Sequence, residues 1–571
     1  MGALKRQISG GRLRVVLGVL ILMMVALVLR AIDLQVLDRD FLTQQGEQRQ
    51  LRTLEESAHR GMITDRHGEP LAISAPVQTA WANPRDLLEQ RERWPELAAA
   101  LDVEPDWLAG RIEARASREF LYLRRHMLPA QARRVTDLRM QGVGLIREFH
   151  RYYPHGEAVA HVLGYTDIDD RGQEGVELAF DQWLSGRPGA KRVLRDRYGR
   201  TIRDVASIRP AHDGNTLRLT LDQRLQYLAY RELKAAVARH DAKGGTAVLL
   251  DARSGEILAL VNQPGFNPNN RSAIRSELTR NRAVTDTLEP GSVLKPFTVA
   301  AALDSGAIDP NATLETAPGT LRVGRHTVRD LRDYGTIDLT TLIARSSNVG
   351  ATQLALETPP GDFWQILHRA GFGQRAGIHF PGEARGRLRE FIHWREIERA
   401  TLGYGYGLSV STLQMAAAYT AFANDGRRIP VRLAHTAEDL REETRVMTPR
   451  TARQVLAMME HVVGPDGTAR QAVIDGYRVA GKTGTTRKSG AGGYTEDRYH
   501  SHFVGLAPAS DPRFVMAVSI DEPNAGVYYG GAVAAPVFQR VMASALRMYN
   551  VRPDAMPEIP MRLAADAEGA T

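Results

Sequence analysis

Lysine and arginine together number 74 in this 571-residue chain, and only seven of them are lysine, which leaves 67 arginines. Each lysine therefore marks a place where the prevailing arginine was not used. The segment EPGSVLKPF (289–297) sets Ser292 and Lys295 three residues apart at the head of an apolar run, TVAAALDSGAI. That spacing brings both side chains to one face of a helix. Pro290 and Gly291 mark the helix start, and Pro296 is tolerable because it falls within the first turn. A helix start offers free N–H groups and a positive dipole end beside Ser292. A serine hydroxyl is a weak nucleophile that needs an adjacent base. Lysine can serve once burial and a neighbouring cation lower its pKa, whereas a guanidinium stays protonated. Taken alone, the pair reads more simply as a surface lysine and an incidental serine.

Two later segments change that balance. ARSSNVG (344–350) supplies a hydroxyl and an amide in Ser346 and Asn348 near the start of a helical segment, where an isolated match would be an N-cap cluster. VAGKTGTT (479–486) puts Lys482 on a strand followed by Thr483, Gly484 and Thr485, and a glycine there lets a ligand approach the backbone. Ser346 follows Ser292 by 54 residues and Lys482 by 190, which leaves room for a helical subdomain between them. The order S-x-x-K, S-x-N, K-T-G is that of penicillin-binding proteins and class A β-lactamases.

On these motifs the chain resembles the class B penicillin-binding proteins of the division type. RGMITDRHGEPLA and GYTDIDDRGQEGVE before the motifs, with TLGYGYGLSVSTLQMAAAYTAFANDG and APASDPRFVMAVSIDEPNAGVYYGGAVAAPVF around them, follow the family's order along nearly the whole chain. Ser-Ser-Asn stands where class A β-lactamases have Ser-Asp-Asn, which fits a synthase, and no glycosyltransferase domain has room before Arg60. The resemblance implies a peptidoglycan D,D-transpeptidase without cofactor or metal. Ser292 would be acylated by the penultimate D-alanine of a stem peptide, and Lys295 would take its proton. Ser346 would relay a proton to the leaving amine, Asn348 would bind the peptide amide, and Lys482 would tune the network. Thr483 and Thr485, with Gly484 between them, would hold the terminal carboxylate, and the backbone N–H groups of Ser292 and Thr485 would form the oxyanion hole. β-Lactams would acylate the same serine.

The family further implies the inner membrane and the division septum, with a polytopic SEDS-type glycan polymerase (FtsW) and bitopic divisome regulators as partners. Rival readings are an elongation-type transpeptidase, a β-lactam hydrolase or D,D-carboxypeptidase, and a non-catalytic scaffold or β-lactam sensor. A hydrolase needs a carboxylate that activates water for deacylation, and none is legible in the sequence. A sensor would couple to further membrane helices, and one hydrophobic segment is present.

The elements that must carry these residues follow from periodicity. NTLRLTLDQRLQYLAYRELKAAVARH reads as a strand and then an amphipathic helix capped by Asp222. A hairpin of Thr246–Leu250 and Glu256–Val261 follows, YRVAGKTGTT is a strand, and HFVGLAPASDPRFVMAVSID is a second hairpin. TLQMAAAYTAFANDG is a helix ending at a glycine. Strands first, helices between and strands last predict an α+β domain in which one antiparallel sheet is flanked by helices, with an all-helical subdomain. Tyr404, Tyr406 and their glycines read equally as cleft lining or as a plain loop. His500 and His502 alternate near a strand without a carboxylate or cysteine at metal spacing, and read as strand residues.

Upstream, residues 1–32 carry no acidic side chain, and Lys5, Arg6, Arg12 and Arg14 precede the apolar run Val15–Leu29. Extended through Ala31, Ile32 and Leu34 it reaches spanning length, and no small-x-small cleavage site follows. The basic flank predicts a cytoplasmic N-terminus. DRDFLTQQGEQRQLRTLEES (38–57) reads as a solvated helix or stalk, and RYYPHGEAVAHVLGYTDIDDRGQEGVE (151–177) as turns with short apolar strands. The expected division is a tail at 1–11, a transmembrane anchor at 12–34, an elongated non-catalytic periplasmic pedestal at 35–225, the transpeptidase domain at 226–550 and a disordered tail at 551–571. The formal charge of +8 is scattered, with no basic run interleaved with aromatics, which argues against nucleic acid. It suits an anionic membrane or wall polymer better. The absence of cysteine excludes disulfides and thiolate metal sites.

Overall fold

The computed structural model describes residues 10–33, 35, 51–195, 201–435, 442–490 and 493–555. They divide by contact into two compact units.

The first unit takes Met1–His59, Pro76–His150 and Gly186–Asp213. It contains the helix Gly10–Ile32, whose stretch Leu13–Ile32 is apolar and long enough to cross a bilayer. Leu51–Glu56 is a strand, not the stalk helix expected there. It runs antiparallel to Gly189–Arg195, from Leu51 opposite Leu194 to Glu56 opposite Gly189. The partner comes from about 130 residues downstream, a pairing that local polarity cannot announce. The remainder of the expected stalk, 38–50, lies outside the described residues. A separate small core joins Ala80 and Ala82, Leu121 and Leu123 to the helices Trp94–Leu101, Pro105–Glu113 and Pro129–Asp137. Apolar residues at helical spacing in WPELAAALDVEPDWLAGRIEARA (94–116) and PAQARRVTDLRMQG (129–142) predict these three helices.

The second unit takes Arg60–Ala75, Arg151–Ser185 and Gly214–Thr571. Near its start a two-residue strand, Ile63–Thr64, pairs with the strand beginning at Pro70 and lies parallel to Leu217–Arg218. The region expected to hold short strands instead forms the short helices Ala160–Leu163 and Gly175–Ala179. A buried ion cluster explains the second helix. Glu177 faces Arg60 Nε and Arg151 Nε, each at 2.7 Å, and Arg60 also reaches Asp181 Oδ1 at 2.7 Å. Buried charges persist only with such close pairing.

Helix α1 (Gln223–Arg239) is capped by Asp222, whose side chain accepts from Arg224 N at 3.0 Å. Strands β1 (Gly244–Asp251) and β2 (Ile257–Gln263) form the first hairpin. Helices α2 (Lys295–Asp304), α3 (Leu339–Arg345), α4 (Asn348–Glu357), α5 (Thr412–Ala423) and α6 (Pro449–Glu460) follow. Two short two-stranded ribbons, 313–315 with 336–338 and 320–323 with 326–329, sit among them. Strands β3 (Ala480–Gly490), β4 (Gly493–Ala507) and β5 (Phe514–Asp521) complete an antiparallel sheet of order β2-β1-β5-β4-β3, and α7 (Ala535–Met548) ends the domain. β1 and β2 are buried at every residue, so the sheet is covered on both faces, and α1, α5 and α7 supply that cover. Helix α5 ends one step differently from the expectation: Asn424 is its C-cap and Asp425 takes the left-handed conformation at φ 49°, before Gly426. Of the expected disordered tail, residues 551–555 are held. Tyr477 Oη donates to Val551 O at 2.7 Å, and Asp554 accepts from Arg478 N at 2.7 Å. Residues 556–571 lie outside the described part.

Candidate active site

The segment EPGSVLKPF is not one continuous α-helix. Gly291–Leu294 makes a single 3₁₀ turn, and Lys295 is the first residue of α2, with Pro296 harmless in its opening turn. Three residues per turn keep positions i and i+3 on one side of the turn, but among the described residues the Lys295 amine bonds to Ser346 and Asn348 and not to Ser292. Gly291 sits at φ 56°, and a Cβ there would stand 2.3 Å from Thr486 Cγ2. The turn is tied down by Tyr419 Oη of α5, which donates to Val293 O at 2.6 Å, and by Gly291 N, which donates to Gly405 O at 3.1 Å. Ser292 Oγ has no hydrogen-bond partner among the described residues, and its side chain is only half-buried.

Lys295 is wholly buried. Its Nζ donates to Ser346 O at 2.5 Å, to Asn348 Oδ1 at 2.8 Å and to Ser346 Oγ at 3.1 Å. Lys482 is also wholly buried, and its Nζ lies 3.0 Å from the same Ser346 Oγ and 3.2 Å from Thr483 O. One serine hydroxyl therefore lies between two buried amines. Burial, reinforced by the charge of Lys482, holds the Lys295 pKa well below the ordinary lysine range, against a smaller opposing pull from Asp330. Burial brings Lys482 down to about 7. An amine with its pKa near working pH can take and return a proton.

Ser346 does not head a helix. It closes α3 at φ 63°, and its neighbour Ser347 is the N-cap of α4, accepting from Gly350 N at 3.0 Å. Asp330, absent from the sequence reading, holds this strained junction. Its carboxylate accepts from Ser347 Oγ at 2.6 Å, from Val349 N at 3.0 Å and from Asn348 N. Asn348 Nδ2 donates to Arg329 O at 2.9 Å, which turns its Oδ1 toward Lys295. Asp330 stands in a polar stretch, VRDLRDYG, whose partners lie 17–19 residues away, and no local pattern marks it.

Lys482, Thr483, Gly484 and Thr485 lie on β3, the edge strand, so one side of that strand has no strand neighbour. Gly484 permits a close approach, as expected, but the approaching group is the chain itself. A Cβ there would meet Pro290 O at 2.8 Å and Val293 Cγ2 at 2.9 Å, so the glycine seats the serine turn on the strand. Thr485 Oγ1 accepts from Gly530 N at 3.1 Å, and Thr483 Oγ1 lies 2.8 Å from Thr468 Oγ1. The structure thus brings Lys295, Ser346, Asn348, Lys482 and Thr483 into one hydrogen-bonded cluster, with the Ser292 turn packed on Gly484.

Around it, Glu289 accepts from Gly407 N at 2.9 Å and from Tyr494 Oη at 3.1 Å, and burial raises its pKa. Tyr404, Tyr406 and Tyr494 form an edge-to-face series with ring separations of 5.6 and 5.4 Å. His500 Nδ1 lies 3.1 Å from Asp521 Oδ1, and wholly buried His502 is held neutral, its pKa lowered to about 3 by burial. Among the described residues no group of three or more His, Cys, Asp or Glu is placed to hold a metal ion.

Comparison with known proteins agrees with this geometry. The family profile described as penicillin binding protein transpeptidase domain matches residues 245–543, and that of the penicillin-binding protein dimerisation domain matches 55–219. The peptidoglycan D,D-transpeptidase FtsI of Escherichia coli K12 is 42% identical over 550 residues, covering 95% of this chain and 93% of that protein. Among solved structures, the transpeptidase domain of Burkholderia pseudomallei penicillin-binding protein 3 is 44% identical, with TM-score 0.54 over 59% of this chain and 98% of that one. Penicillin-binding protein 3 of Mycobacterium tuberculosis, complexed with aztreonam, is 28% identical, with TM-score 0.68 over 88% of this chain and 98% of that one. Likeness along nearly the whole chain, together with two buried lysines meeting at one serine, establishes that the chain belongs to the penicillin-binding protein transpeptidases.

Proposed function

We propose that this chain is a peptidoglycan D,D-transpeptidase that cross-links stem peptides at the division septum through a serine acyl-enzyme. One observation carries the assignment of roles: two of only seven lysines are wholly buried and converge on the Ser346 hydroxyl, beside a serine turn whose nucleophile is unengaged.

In this reading Ser292 Oγ attacks the carbonyl carbon of the penultimate D-alanine and its proton passes to neutral Lys295 Nζ. The backbone N–H groups of Ser292 and Thr485 receive the oxyanion, where loss of one donor costs about 10²–10³ in rate. The carbon–nitrogen bond breaks as the proton moves from Lys295 through Ser346 Oγ to the leaving amine, and D-alanine departs. An acceptor amine then attacks the ester, its proton returns by the same path and Ser292 is regenerated. Asn348 holds the peptide amide, Lys482 keeps Lys295 deprotonated, and Thr483 and Thr485, spaced by Gly484, hold the terminal carboxylate. The free edge of β3 is suited to an extended peptide lying beside it. A β-lactam enters the same path, but its leaving group stays tethered.

Residues 226–550 form the catalytic domain in this proposal and 35–225 the periplasmic pedestal. The apolar helix at Leu13–Ile32 supports a single-pass anchor. A polytopic glycan polymerase of the SEDS type (FtsW) and bitopic divisome regulators are the partners proposed, in the inner membrane at the septum. The test is labelling with a fluorescent penicillin in cells carrying either the native chain or Ser292→Ala. The expected result is a stable label at the septum that the substitution abolishes. Label that survives the substitution sinks the nucleophile assignment, rapid repeated turnover of the penicillin turns the reading toward a hydrolase, and a sidewall signal turns it toward elongation.

A further inference from the structure

A residue outside the three motifs completes the carboxylate end of the site. Thr468 lies in the loop between α6 and β3 and is exposed, whereas Thr483 beside it is buried. Their hydroxyl oxygens are 2.8 Å apart. The loop is fixed at both flanks: Ala469 N donates to Val462 O at 2.9 Å, and Asp466 Oδ1 lies 3.0 Å from Arg345 Nη2, next to Ser346. It therefore ties the serine–asparagine junction to the lysine–threonine strand.

In the 2.8 Å pair either hydroxyl can donate, and an acceptor in the cleft that takes the Thr483 proton leaves Thr468 as the donor. A threonine hydroxyl has one proton and two lone pairs. Lys482 Nζ stands 3.5 Å from Thr483 Oγ1 and, when charged, can only donate. With Thr468 donating as well, both lone pairs of Thr483 are occupied, and its proton is left for a group in the cleft. A carboxylate only accepts, so it is the group that such a committed donor selects. Without the Thr468 hydroxyl, Thr483 loses the donor that polarises its own O–H toward the cleft.

We infer that Thr468 is a positioning residue that commits the Thr483 hydroxyl to donation and so makes the enzyme selective for substrates ending in a free carboxylate. The inference rests on the proposed role of Thr483. The full-length protein in detergent is acylated with benzylpenicillin and with its methyl ester, comparing native, Thr468→Val and Thr468→Ser chains and following both the binding constant and the limiting acylation rate. Thr468→Val is expected to lose about tenfold or more in acylation efficiency with the carboxylate, the value of a hydrogen bond to a charged group. The loss should fall on binding, leave the ester rate unchanged and be restored by Thr468→Ser. Adding Thr468→Val to Thr483→Ala should cost nothing further. Equal loss with both compounds, or no loss with either, overturns the inference. Labelling that survives Ser292→Ala would instead refute the site itself.

Discussion

Replacing Lys482 with methionine removes a positive charge while keeping the length of the side chain, and the outcome can be worked from distances. Lys295 Nζ and Lys482 Nζ lie 3.1 and 3.0 Å from Ser346 Oγ. They are therefore no more than about 6 Å apart, where two charges at an effective dielectric near 20 repel by about 3 kcal/mol. That repulsion disfavours the charged form of Lys295 and so holds its pKa down. Because Lys482 lowers the Lys295 pKa, its removal should raise it, and the acid limb of the acylation profile should move to higher pH. The assay is the second-order rate of labelling by a fluorescent penicillin from about pH 5 to 10, with thermal midpoints at each pH to show that the chain stays folded. The same variant should be more stable than the native chain. Lys482 has a pKa of about 7 when folded and an ordinary value near 10.5 when unfolded. Between those values the unfolded chain binds more protons, so native stability rises with pH across that window, and below it the full cost of burying the lysine applies. At pH 7 the cost is on the order of 4 kcal/mol, and Lys482→Met should remove both the cost and the slope. An acid limb within about half a unit of the native one would refute the electrostatic role of Lys482.

Four further substitutions probe the frame around the pair. Ser292→Ala should abolish β-lactam labelling while leaving the melting temperature within a degree or so, since Ser292 Oγ holds no hydrogen bond among the described residues. Gly484→Ala drives a methyl group against Pro290 O and Val293, so it should cost about 1–3 kcal/mol by calorimetry and depress acylation by displacing the serine turn. Asp330→Asn leaves one acceptor oxygen where two were used, so it should destabilise the Ser346 junction by about 1–3 kcal/mol and slow labelling, and loss of its pull on Lys295 should move the acid limb to lower pH; unchanged stability would contradict this role. Glu177→Gln strands the buried guanidinium groups of Arg60 and Arg151, and denaturant unfolding should show a loss of about 3–5 kcal/mol.

How far the residues could be read in advance depended on the range of the interactions involved. The helices at 94–101, 105–113 and 129–137 and the hairpins of the sheet were legible because apolar spacing acts over three or four neighbours. The strand at 51–56 was not, because its partner is remote, and the helix around Glu177 was not, because a buried ion cluster decides it. Thr468 and Asp330 were passed over for the same reason, being polar residues in loops whose partners are remembered by no local repeat.

Composition and order were enough to single out Ser292, Lys295, Ser346, Asn348 and Lys482, since a chain that otherwise relies on arginine placed lysine where a proton could be given up. Folding decided what those residues are to each other. It placed Ser346 between two buried amines instead of at a helix start, gave Gly484 to the chain's own serine turn, and recruited Asp330 and Thr468 from distant loops. Residue type sets which protons can move. Burial and the mutual distance of charges set their pKa values, and both arise only when strands and helices far apart in the chain close around one another.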